Sequence, residues 1–287
     1  MKILLDTDIG SDIDDAVCLA YLLANPACEL LGITTVSGEA VHRARLASVL
    51  CKHAGKNILI YPGVEEPLSG AQKQPLAPQS VALRNWEHQV EFPQGKAISF
   101  LRDTIHQYPG EIILLAIGPM TNIATLFNED KDIPSLIKGL VLMCGKFQPP
   151  HIVEWNAKCD PVAAAIVYNS KIKVHRSIGL DVTTQVTMDA QWVKEKFTTP
   201  LLLPVFDFAK VWFEKTKIMT FHDPLAAATI FDSQICRFDK GNVKVELNHD
   251  KQNGLTYWTS NGSSGNHEVA VAVDAARFFN HYFSVFK

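Results

Sequence analysis

Apolar runs of strand length alternate with helix-like segments along the first two thirds of the chain. The pattern predicts strands at 2–6 (KILLD), 30–36 (LLGITTV), 57–61 (NILIY), 111–117 (EIILLAI), 139–144 (GLVLMC) and 171–178 (KIKVHRSI). It predicts helices at 14–24 (DDAVCLAYLLA), 40–53, 121–127 (TNIATLF) and 161–170 (PVAAAIVYNS). Strands that are apolar throughout, rather than alternating, belong to sheets covered on both faces. The β-α-β-α order makes the pairing mainly parallel. The expected fold class is therefore α/β: one domain over 1–287, a Rossmann-like open sheet flanked by helices. Two regions break the rhythm. Residues 62–93 carry five prolines and little periodicity, a loop long enough to be functional or mobile. Residues 186–231 look helical, 243–258 resembles a hairpin, and 269–283 (VAVAVDAARFFNHYF) reads as a closing amphipathic helix.

Composition changes this picture little. A 47% hydrophobic, 20% charged chain of 287 residues fits a globular protein with a sizeable core. A net charge of −3 gives no electrostatic reason to expect nucleic acid or anionic membrane as a partner. The apolar run before the first Asp is shorter than a signal peptide's central region, and no stretch approaches a membrane span. Six scattered cysteines without a CxxC pair read as reduced thiols, which suits a cytoplasmic protein.

The chemistry concentrates in LLDTDIGSDIDDA (4–16), where Asp6, Asp8, Asp12, Asp14 and Asp15 crowd behind the first strand. No Lys or Arg occurs between Ile3 and Val41. Ligands of open α/β sheets bind beyond the carboxyl ends of the strands, where this turn lies. Ser11 or Asp12 can cap the next helix, and Asp14 and Asp15 suit its first turn. Capping does not account for all five. Like charges this close raise one another's pKa unless a cation neutralises them, and all-oxygen ligands select Ca²⁺ or Mg²⁺. A haloacid-dehalogenase-type phosphatase, with Asp6 as nucleophile in the D-x-D pair, is one reading. Such an enzyme needs a later Lys and paired acids after a strand, and Gly179-Leu180-Asp181 is the nearest approach.

The string DTDIGSDIDDA resembles the signature of the inosine–uridine-preferring nucleoside hydrolases, with two extra residues before Asp14. Further segments follow in the family's order. TTVSGE (34–39) places Glu39 where Asn or Asp is usual, and LLAIGPMTNIA (114–124) ends its strand at Ile117. VLMCGKF (141–147) has Cys144 in place of Gly, VEWNAKCDP (153–161) contains an E-x-N pair, and HDPLAAA (222–228) comes last. The resemblance implies a nucleoside hydrolase fold and a Ca²⁺-dependent N-ribosyl hydrolase that cleaves ribonucleosides to ribose and base. It implies Ca²⁺ held by Asp8, Asp15, Asp223 and the Ile117 carbonyl, and Asp14 as general base unless the insertion passes that role to Asp12. It implies His222 facing the leaving base, Met143, Glu154 and Asn156 on the ribose, Glu39 near the metal, and Asp160 left as a helix cap. No counterpart of the Asn that reaches the ribose 5′-hydroxyl stands in Gln148-Pro149-Pro150, and Trp86 or His88 are the candidates to approach the base. A homodimer or homotetramer is the usual assembly. A catalytically silent, calcium-dependent binder of nucleosides or ribose is the reading from a different class.

Overall fold

The computed structural model describes residues 1–249, 252–261 and 264–286. Its strands are β1 (Lys2–Thr7), β2 (Glu29–Thr35), β3 (Ile60–Pro62), β4 (Ile112–Ala116), β5 (Gly139–Met143), β6 (His175–Ile178), β7 (Thr187–Asp189), β8 (Ile218–Thr220), β9 (Cys236–Val245), β10 (Thr256–Ser260) and β11 (His267–Val273). Among the described residues nine of them form one sheet, in the order β10-β9-β11-β6-β5-β4-β1-β2-β3. From β11 to β3 every pairing is parallel; β9 and β10 extend that edge antiparallel. The expected α/β class with a mainly parallel sheet holds.

Side chains of β1 alternate between two cores, as strand geometry requires. Ile3 and Leu5 pack with the helices Asp14–Ala24, Ala40–His53, Leu202–Phe213 and His222–Phe231. Leu4 packs on the other face with Ala97–Gln107 and Thr121–Glu129. Both faces are covered, which explains the unbroken apolar strands.

Several expectations change. The run at 269–273 is strand β11, and the closing helix spans only Ala275–Ser284; Val269 and Ala270 are buried beside β6 and β9. Residues 186–231 include the small antiparallel pair β7–β8 between helices. The pair expected at 243–258 is β9–β10, with β9 beginning at Cys236; positions 250 and 251 lie outside the described residues. Helix Ala97–Gln107 and the 3₁₀ segment Pro78–Asn85 within the proline-rich region have no counterpart in the prediction.

β1 lies between β2 and β4, so successive connections leave it in opposite directions. That reversal opens a crevice at the carboxyl ends of β1 and β4, the usual ligand position in such sheets. Asp8 follows β1 and Ile117 follows β4.

Candidate active site

A cavity of about 580 Å³ sits over this crevice. Asp8, Asp12, Asp14, Asp15, Ile117, Met143, Glu154, Asn156, His222 and Asp223 all line it. Helix Asp14–Ala24 is buried from Asp14 to Leu23 and packs against helix His222–Phe231. Burying each Leu or Val side chain contributes ~1.5–3 kcal/mol. That packing fixes the two helix starts together although they lie over 200 positions apart in sequence, and Asp223 N donates to Asp14 Oδ2 at 3.3 Å. The result is three buried carboxylates, Asp14, Asp15 and Asp223, with oxygens all within 4.8 Å of one another.

The supports of this cluster are specific. Thr7 Oγ1 donates to Asp15 Oδ1 at 2.5 Å. Asp6, fully buried beneath the cavity, accepts from Thr34 Oγ1 and Asn122 Nδ2, and its carbonyl accepts from Ile117 N. A Cβ at Gly118 would stand 2.8 Å from Asp8 Oδ1, so glycine is needed for this close approach. Asn156 Nδ2 donates to the Ile117 carbonyl at 2.8 Å and to the Met143 carbonyl at 3.0 Å. Its Oδ1 receives no hydrogen bond among the described residues, and the Ile117 oxygen keeps a second lone pair. Glu154 caps the helix Trp155–Cys159: Oε1 accepts from Asn156 N, Oε2 from Ala157 N and Gly145 N.

Burial dominates the electrostatics. It pushes Asp12 and Asp6 up to about 7. It raises Asp14, Asp15 and Asp223 well above the usual carboxylate range, with repulsion from the neighbouring carboxylates, Asp8 and Asp12 among them, adding to it. Burial also lowers His222 to about 4, leaving a neutral imidazole at pH 7. Its Nδ1 lies 2.7 Å from Thr183 Oγ1. A buried cluster of carboxylates this close is costly without a cation. Carboxylate and carbonyl oxygens suit a hard divalent ion, so the residues present fit a metal.

The local absence of basic residues is overturned in three dimensions. Arg43, two positions past the empty stretch, is fully buried against the acidic turn. Its guanidinium donates to carbonyls rather than carboxylates: Gly38, Asp8, Ile9, Gln74 and Leu76, with Ser11 Oγ at 2.9 Å. The acidic turn is thereby tied to the proline-rich segment, while the Arg43 charge lowers Asp8 and Asp15 against the larger burial effect.

Three expected site residues stand elsewhere. Glu39 adopts a left-handed backbone (φ 61°), and its carboxylate accepts from Ala77 N at 2.8 Å; it does not line the cavity. Trp86 stacks edge-on against His53 and donates to Asp207, and the His88 ring meets the Trp86 carbonyl; neither lines the cavity. Asp6 is equally misplaced for a phosphatase nucleophile: it is fully buried and does not line the cavity, its Oδ1 accepts both side-chain hydrogen bonds, and its Oδ2 has no partner among the described residues. Conversely Gln74, Leu76, Trp155, Leu180, Trp212 and Lys215 line the cavity without having been singled out. Trp155 stood inside the E-x-N pair, which was a usable signal; Gln74 carried none.

The sequence model described as inosine-uridine preferring nucleoside hydrolase matches residues 3–280. A probable uridine nucleosidase 2 of Oryza sativa subsp. japonica is 30% identical, covering 94% of this chain and 88% of that one. An inosine-uridine preferring nucleoside hydrolase of Leishmania major is 31% identical, covering 89% and 86%. Among solved structures, a purine-preferring ribonucleoside hydrolase from Gardnerella vaginalis superposes with a TM-score of 0.84 at 25% identity, covering 100% of this chain and 98% of that one. The fold, the acid-lined crevice and these likenesses define a hydrolase acting on N-glycosyl compounds. The chain belongs to the inosine-uridine preferring nucleoside hydrolase family. That membership favours neither the phosphatase nor the silent binder.

Proposed function

We propose that this enzyme hydrolyses the C1′–N bond of ribonucleosides to ribose and free base, with one Ca²⁺ held by Asp8, Asp15, Asp223 and the Ile117 carbonyl. The observation that carries the reading is the convergence of Asp14, Asp15 and Asp223 within 4.8 Å in a buried crevice. A divalent ion in that place supplies a Lewis acid that orients a vicinal diol and acidifies water.

The remaining chemistry belongs to the chain. Breaking a glycosidic bond builds positive charge on the sugar, and the surrounding carboxylates stabilise it in a low-dielectric site. Asp14 takes the proton of the attacking water; Asp12, buried beside it, is the alternative base. Asn156 Oδ1 and the spare lone pair on Glu154 Oε1 accept ribose hydroxyls, with Met143 against the ring. His222 stays neutral at pH 7 and offers a ring N–H to the departing base when Nδ1 accepts from Thr183. The base side is walled by Leu76, Leu180 and Trp212. Six buried, unpaired cysteines support a cytoplasmic location, and a homodimer or homotetramer completes the reading.

The test is reducing-sugar release from inosine, uridine, cytidine and adenosine, with and without chelator. Release that survives complete chelation removes the metal from the mechanism. Full activity of Asp14→Ala removes Asp14 as base, and loss confined to Asp12→Ala moves the role to Asp12.

A further inference from the structure

Asp8 is the one proposed carboxylate ligand outside the three-carboxylate cluster. Its Oδ2 is taken by Gln74 Nε2. The other end of the same amide, Gln74 Oε1, accepts from Trp155 Nε1 at 2.6 Å. An indole N–H only donates, so the amide oxygen must face Trp155 and the amide nitrogen must face Asp8. Gln74 is 8% exposed, whereas Trp155 is 47% exposed and has little burial to hold its ring at the cavity wall. The backbone of Gln74 is referenced to the same turn. Arg43 donates to the Gln74 carbonyl at 3.4 Å and to the Leu76 carbonyl at 3.0 Å while also holding the Asp8 carbonyl, and Gln74 N donates to Gln72 Oε1 at 2.7 Å.

We propose that Gln74 is a positioning residue that presents Asp8 to the cation through Oδ1 alone and ties cation loading to the placement of Trp155 beside the ribose subsite. This rests on the reading of the crevice as a cation and ribose site. Glu39 sits off the cavity on Ala77, so the proline-rich segment supplies through Gln74 the polar contact to Asp8 on this side. Residues that orient a metal's ligands typically cost 10–100-fold in affinity when removed.

The experiment is a calorimetric Ca²⁺ titration of the chelator-stripped full chain, read together with tryptophan emission. Wild type should bind Ca²⁺ with a change in emission, and Trp155→Phe should remove most of that change although the chain has five tryptophans. Gln74→Met should weaken Ca²⁺ binding about 10-fold or more and abolish the Trp155 response. Gln74→Glu keeps an acceptor for the indole but no donor for Asp8, so it should weaken binding while retaining the indole's position. Thermal unfolding of each variant controls for folding. A lower melting temperature with unchanged Ca²⁺ affinity and emission response would mean a packing role and overturn the inference. Wild type that binds no Ca²⁺ would instead overturn the cation site itself, and this inference with it.

Discussion

Two helices of this enzyme start at an Asp-Pro step, Asp160-Pro161 and Asp223-Pro224, and the two aspartates have opposite fates. Asp160 is the N-cap of helix Pro161–Tyr168: Oδ1 accepts from Ala163 N, and Oδ2 accepts from Leu68 N and Thr121 Oγ1. Asp223 lies two positions further in, inside the first turn of helix His222–Phe231, whose N-cap is Phe221. Among the described residues none donates a hydrogen bond to its carboxylate, which faces Asp14 and Asp15 instead. Both are fully or almost fully buried. A carboxylate saturated by amide and hydroxyl donors is a structural group. One confronted by its own kind has a ligand still to receive.

The largest expected effect tests that contrast at Asp223. Asp223→Ala should lower kcat/KM for every nucleoside by about 10³-fold or more, and calorimetry should show Ca²⁺ binding lost. The same substitution should leave the metal-free protein at least as stable as wild type, because it removes a buried repulsion. Asp160→Ala should do the reverse. It strands three donors, so urea unfolding should show a loss of about 1–3 kcal/mol, while Ca²⁺ affinity stays within about twofold.

A third prediction sharpens the comparison through pH. Asp12 moves from its ordinary 3.8 up to about 7 on folding, and Asp14, Asp15 and Asp223 move in the same direction. A raised carboxylate is bound to its proton more tightly in the folded chain. Its contribution is therefore complete below pH ~3.8 and is lost as pH rises through ~7. The melting temperature of chelated protein should fall between pH 4 and pH 7.5. Added Ca²⁺ should restore it at pH 7.5 and change it little at pH 4.5, where the ligands are protonated. A metal-free protein that instead gains stability across that range would remove the buried acidic cluster from the account. The smallest effect belongs to Glu39→Gln: a carboxamide oxygen still accepts from Ala77 N, so kcat/KM should change by less than about twofold.

The parallel sheet was legible because a strand covered on both faces must be apolar at every position, and such runs stand out locally. β11 was not: VAVAV reads equally as strand or helix, and its pairing with β6 and β9 is set by residues far away in sequence. The acids of the first turn were legible by density alone. Arg43 was not read as their neighbour because its charge enters from a separate helix and contacts carbonyls, which leave no mark in composition. Gln74 was invisible for the same reason within a segment that lacks periodicity. Glu39 carries its carboxylate to Ala77 N, a contact between segments 38 positions apart that no local motif records.

By itself the sequence determined the α/β class, the cluster of acids behind β1 and the order of the segments that meet there. These follow from side-chain chemistry and the periods of helix and strand, which act over a few residues. Only tertiary structure decided which of two Asp-Pro steps joins the acids, that Arg43 braces the turn, and that Gln74 bridges Asp8 to Trp155. Those outcomes depend on distances between groups separated by tens to hundreds of positions, and chain packing alone sets such distances.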